Sequence, residues 1–83
     1  MERYFASVLV NKPVVTDRGK RLGEVADLTF EVRSGEVLHI ILKNITDNVV
    51  KLGLEKTKDG YIVPFIAVKA IGDFIVVSEE DIT

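Results

Sequence analysis

Apolar and polar residues alternate along much of the chain, and this alternation is typical of short β-strands with one buried face. The longest alternating stretch covers residues 24–33, and a break in its order near Ala26 predicts a β-bulge. Glycine, aspartate and asparagine interrupt the pattern at intervals, as in turns between antiparallel strands. Further strands are predicted at residues 14–15, 36–43, 50–55, 61–65 and 74–77, with a single helical or 3₁₀ turn at residues 67–70.

The first residues have a different spacing, in which apolar side chains recur on one side of a helix. This stripe consists of Tyr4, Phe5, Val8 and Leu9. Residues 2–9 are therefore predicted to form a short helix. Pro13 follows soon afterwards and ends it, because the residue before a proline is forced into extended geometry.

The strand at residues 36–43 is apolar on both faces, which indicates burial on two sides. One face carries Leu38, Ile40 and Leu42, and the other carries Val37, His39 and Ile41. A barrel wall has only one interior, so the second set must be covered by the N-terminal helix or by another chain. We expect another chain, because a small domain gains stability from association. The predicted interface consists of Tyr4, Phe5, Val37, His39 and Ile41.

Five or six short antiparallel strands cannot bury their apolar faces well in an open sheet, and closure removes exposed edges. We therefore predict an all-β fold, a small β-barrel with at most one short N-terminal helix. Its 83 residues form a single domain, 1–83. The expected core residues are Leu28, Phe30, Val32, Leu38, Ile40, Leu52, Val63 and Val76.

Composition narrows the possible functions. The chain has no cysteine and a single histidine, so disulfides, thiolate chemistry and cysteine-ligated metals are excluded. Eleven basic residues against 13 acidic ones give a net charge of −2, without the basic excess of a dedicated nucleic-acid binder. No apolar run approaches the ~20 residues of a membrane helix. We expect a cytoplasmic protein that is not an enzyme, uses no cofactor or metal, and meets a membrane only through a partner.

Three groups of polar residues allow a second interpretation. His39 could be a metal ligand or a pH switch, although a structural or interface position is favoured because no second histidine exists. The acidic residues Asp17, Glu24 and Asp27 could suggest a calcium loop or an acid/base pair, but their spacing favours hydrogen bonds at turns and bulges. The basic residues Arg18, Lys20 and Arg21 could contact RNA, but a solvated turn is favoured.

Several segments, in this order and spacing, resemble the PRC-barrel domain, the small β-barrel of the photosynthetic reaction centre H subunit and of the ribosome maturation factor RimM. The first half of the resemblance consists of VVTDRG (14–19), RLGEVADLTF (21–30) and SGEV (34–37). The second half consists of IVPF (62–65) and VKAIGDFIVV (68–77). Together they span about residues 12–77.

The chain most closely resembles the short stand-alone archaeal PRC-barrel proteins, which are cell-division adaptors that pair with each other and bind SepF, the membrane anchor of the FtsZ ring. The resemblance implies a dimeric, non-enzymatic adaptor, paired with itself or with a related PRC-barrel protein and recruited to the division site. One alternative is a RimM-like ribosome-assembly factor that docks on a ribosomal protein or RNA. Another is a small-ligand sensor or enzyme that uses the barrel mouth. The acidic balance disfavours the former, and the few catalytic side chains disfavour the latter.

Overall fold

The computed structural model describes residues 7–82, which form one sheet with short helical connections. The strands are β1 (Pro13–Thr16), β2 (Arg21–Phe30), β3 (Val37–Lys43), β4 (Lys56–Thr57), β5 (Gly60–Pro64), β6 (Val68–Ile71) and β7 (Ile75–Val77). The helical elements are helix α1 (Asp47–Lys51) and a 3₁₀ turn (Phe65–Ala67). Ser7, Val8 and Leu9 are helical, and the rest of the predicted N-terminal helix lies outside the described residues.

The seven strands lie in the order β4-β5-β3-β2-β1-β7-β6. The prediction of a mostly β fold is confirmed. The prediction of five or six antiparallel strands closed into a barrel is wrong, and so is the limit of one short N-terminal helix, because α1 lies within the chain. Strands β1 and β7 are parallel, and across residues 7–82 no ladder joins β4 to β6. Closure would require pairing between end strands of only two and four residues. The sheet therefore remains open in its hydrogen bonding.

Two bulges decide which side chains of the β2–β3 hairpin reach the core. Val25 pairs with Leu42 and Asp27 with Ile41, which leaves Ala26 as the extra residue and confirms the predicted bulge. A second register shift lies at the other end of the hairpin, where Thr29 pairs with His39 and Phe30 with Val37. The extra residue here is Leu38 of β3.

The second bulge corrects part of the predicted core. An extra residue reverses which face the following side chains occupy. Leu38, expected inside, is therefore 42% exposed, while Val37 packs against the core. Val32 is 96% exposed because β2 ends at Phe30 and residue 32 belongs to the hairpin loop.

The remaining predicted core residues lie in the core or next to it. Leu28, Ile40 and Val63 are buried, and Phe30 and Leu52 pack against them. Val76 is half-buried. The largest fully buried side chains are Leu9, Val14, Leu22, Val25, Ile40, Val49, Val63, Ile75 and Val77. The core thus draws on strands from both ends of the chain.

The predicted strand at residues 50–55 is wrong, because the chain forms α1 at Asp47–Lys51. The Thr46 side chain caps this helix by accepting a hydrogen bond from the Asn48 backbone N–H at 3.3 Å. Asp47 in the first turn and Lys51 in the last complement the helix dipole. Val49 points into the core and Val50 is 65% exposed, so the apolar run serves one helical face and not a strand.

The helical turn predicted at residues 67–70 lies slightly earlier in the chain. The 3₁₀ turn covers Phe65–Ala67, and Val68–Ile71 then form the edge strand β6. Beyond β7 the chain turns back onto the fold. The Ser78 backbone N–H donates to the Ala67 carbonyl at 2.8 Å, and Ile82 is buried. The C-terminal segment, residues 78–82, is therefore packed against the sheet.

Candidate functional site

The structure separates the predicted interface residues. Val37 is turned toward the core by the Leu38 bulge. His39 and Ile41 remain on the opposite face of β3, and both are half-buried. Tyr4 and Phe5 lie outside the described residues. The interface role of all five residues stays a prediction, and two of them share a described face.

The neighbouring strand β5 completes that face. His39 lies opposite Pro64 of β5, and Ile41 lies opposite Ile62. Directly opposite residues in a sheet project their side chains to the same side. These four residues, His39, Ile41, Ile62 and Pro64, define the outer β3 face.

The imidazole of His39 has a fixed partner on this face. Its Nδ1 lies 3.2 Å from the Thr29 hydroxyl oxygen, which belongs to the paired strand β2. A hydrogen bond at one ring nitrogen restrains the orientation of the ring. His39 is therefore a positioned side chain on the outer β3 face.

A cavity opens beside the outer β3 face and has a volume of about 190 Å³. Its lining consists of His39, Glu55, Ile62, Pro64, Asp81 and Ile82. Ile62 and Ile82 are 8% and 5% exposed and form apolar walls, whereas both acidic residues are exposed. The sequence pattern drew attention only to His39, because Glu55 and the C-terminal segment reach the cavity through tertiary folding.

The acidic residues considered for calcium are held by other partners. Asp27 Oδ1 accepts a hydrogen bond from the Leu28 backbone N–H at 2.8 Å, next to the bulge. Glu24 pairs with Arg21 at 3.2 Å and accepts a hydrogen bond from Asn44 Nδ2 at 2.9 Å. No group of three or more histidine and acidic side chains within residues 7–82 could hold a metal ion.

Asp17 lies at the β1–β2 turn and contacts the C-terminal segment. Its Oδ1 accepts a hydrogen bond from the Glu79 backbone N–H at 3.2 Å, and its Oδ2 lies 3.4 Å from Lys69 Nζ. The Glu79 N–H is the main cause that lowers the pKa of Asp17 below its ordinary value of 3.8. Lys69 and Arg18 add to that effect, and partial burial opposes it.

The basic residues of the β1–β2 turn are engaged in ion pairs. Arg18 and Lys20 lie 3.9 Å and 3.8 Å from Glu79 Oε1. Arg21 pairs with Glu24, as described above. Each cation therefore has a nearby carboxylate, which offsets the positive field that RNA binding needs.

A model of the PRC-barrel domain family matches residues 1–81. No match was found among curated proteins. Residues 7–82 contain no helix with the length and apolar character required to cross a membrane.

Proposed function

The chain belongs to the PRC-barrel domain family, and from this premise we propose that it is a protein-interaction adaptor without catalytic activity. The family match over residues 1–81 carries the proposal, because this family consists of non-catalytic domains. Exposed apolar side chains at several positions provide surface that a partner can cover. Among the described residues they include Val8, Val32, Leu38, Ile45, Val50, Ile66, Ile71 and Phe74.

The specific role we propose is that of a dimeric adaptor in archaeal cell division. It binds SepF and acts through SepF on the FtsZ ring. The segments between residues 12 and 77 resemble the PRC-barrel domain, and the chain as a whole resembles the short archaeal PRC-barrel proteins; these resemblances support the role. The adaptor works in the cytoplasm and reaches the inner face of the membrane through SepF.

We propose that the dimer forms through the outer β3 face, with Tyr4 and Phe5 at its margin. His39 and Ile41 are half-buried within the single chain, so a second copy or a related PRC-barrel protein can remove further area from water. A partner that binds only the folded domain also stabilises that folded state by mass action.

Sedimentation analysis of the wild type and of Ile41→Glu tests the homodimer. The wild type is expected at twice 9.2 kDa at micromolar concentration. The glutamate would be desolvated without a partner at the interface, which weakens the dimer by about 2–4 kcal/mol. Val50→Glu is the matched control, because Val50 lies on the exposed side of α1. A wild type that sediments at 9.2 kDa removes the homodimer, and a dimeric, folded Ile41→Glu places the interface elsewhere.

Binding to purified SepF tests the division role. The tagged chain is expected to retain SepF at micromolar concentration, and circular dichroism confirms that each preparation is folded. A lysate pull-down provides the comparison with ribosome assembly. Enrichment of ribosomal proteins without SepF would overturn the division role and support the RimM-like alternative.

A further inference from the structure

The cavity beside the outer β3 face combines two kinds of wall. Ile62, Pro64 and Ile82 form an apolar surface, and Ile62 and Ile82 are themselves buried. Glu55 and Asp81 add two acidic groups at exposed positions, so the charged part of the cavity faces solvent. Such a site suits a ligand with an apolar stem and a charged end.

The volume limits the size of the ligand. Sites for drug-sized molecules and cofactors have volumes of roughly 300–1,000 Å³. The cavity measures about 190 Å³. It is therefore too small for a cofactor and suits a single long side chain from another protein.

The charges of the cavity determine which charge that side chain must carry. Among residues 7–82, no lysine or arginine lines the cavity. Within residues 7–82, neither Glu55 nor Asp81 forms an ion pair, whereas Asp17, Glu24 and Glu79 all do. Two uncompensated carboxylates in one small cavity attract a cation.

We propose that this cavity receives an arginine side chain presented by a protein partner. The methylene stem of the arginine would pack on Ile62 and Ile82, as long basic side chains do on apolar surfaces. The planar guanidinium would stack on the His39 ring and donate to Glu55 and Asp81, since its fork of donors matches carboxylates. Thr29 already holds the His39 ring in place. The partner is taken to be a protein because this proposal rests on the interaction role proposed above.

The probe for this site is Nα-acetyl-arginine methylamide, titrated into the whole chain at low salt and followed by methyl NMR. Saturable shifts are expected at Ile62 and Ile82, with binding in the millimolar range and weaker at high salt. The matching citrulline compound, which has the same shape without the charge, should produce no such shifts. Equal shifts with both compounds, or no saturable shift with arginine, would overturn the proposal.

Two double variants distinguish binding in this cavity from a general attraction of cations to the acidic chain. The double variant Glu55→Gln with Asp81→Asn should weaken arginine binding about tenfold or more. Asp59→Asn with Asp73→Asn makes the same charge change at exposed residues that do not line the cavity, and it should bind as the wild type does. Equal weakening by both double variants would overturn the site. Because the assay contains no SepF, failure of the division role leaves its result unchanged. Conversely, SepF binding without arginine binding would reject the cavity alone.

Discussion

The hydroxyl group of Thr16 donates a hydrogen bond to Glu79 Oε2 at 2.6 Å, although the two residues lie 63 positions apart in the chain. The same hydroxyl oxygen accepts the backbone N–H groups of Arg18 at 3.2 Å and Lys20 at 3.1 Å. Thr16 is 3% exposed, and the Glu79 side chain is 7% exposed. This buried hydrogen bond therefore connects the C-terminal segment to the β1–β2 turn.

Replacement of Thr16 by valine should lower the free energy of unfolding by about 1–3 kcal/mol. Valine keeps the shape of the side chain but leaves Glu79 Oε2 and the backbone N–H groups of Arg18 and Lys20 without this partner. Urea unfolding measures the loss. Thr16→Ser retains the hydroxyl group and serves as the control. A valine variant as stable as the serine variant would contradict the role of this hydrogen bond.

Acidification should destabilise the protein partly through Asp17. Its folded pKa lies below the ordinary value of 3.8, mainly because of the Glu79 N–H. Such a carboxylate contributes stability above its unfolded pKa, and this contribution is lost as the pH falls through the folded pKa. Unfolding free energies measured from pH 7 to pH 2 should therefore fall more steeply for the wild type than for Asp17→Asn. Parallel curves would show that Asp17 has no part in the acid response.

Gly23→Ala should destabilise the fold by about 1–3 kcal/mol through overpacking. A Cβ atom at this position would lie 2.7 Å from the Lys43 carbonyl oxygen and 3.3 Å from the Ile45 Cα, both of which are backbone atoms. Gly72→Ala is the control, because a Cβ there meets nothing within 4 Å. Thermal unfolding of the two variants distinguishes them, and a similar midpoint for both would refute the close approach at Gly23.

Thr46→Ala should cost about 0.5–2 kcal/mol, the usual effect of losing a helix N-cap. The Thr46 hydroxyl accepts the Asn48 N–H and also donates to the Arg21 carbonyl oxygen, so it joins α1 to β2. Thr46→Ser preserves both contacts and should lie close to the wild type in urea unfolding. If alanine and serine give the same midpoint, the cap does not stabilise α1.

The alternation of apolar and polar residues predicted those parts of the sheet in which neighbouring residues in the sequence determine which face a side chain occupies. The break in alternation marked the bulge at Ala26 because the bulge lies within a long regular stretch. The bulge at Leu38 leaves no such mark, since the residues on both faces of β3 are apolar. Reversal of the faces there depends on pairing with β2, which the pattern of a single strand does not contain.

Helix α1 and the cavity were not predicted from the sequence, for different reasons. The residues around Val50 alternate as a strand would, but the Thr46 cap and the burial of Val49 favour a helix. The cavity joins Glu55 and Asp81 to the middle of β3. Residues so far apart in sequence meet only after the C-terminal segment has folded back, and no spacing rule connects them.

The position of β1 between β2 and β7 ties the folding of the sheet to the order in which the chain is synthesised. β2 follows β1 within a few residues, whereas β7 leaves the ribosome after the other six described strands. Pairing across such a long loop is slow, because closure of the loop carries an entropic cost before any contact forms. The nascent chain therefore exposes one edge of β1, a template for pairing with other chains, until its seventh strand has been translated.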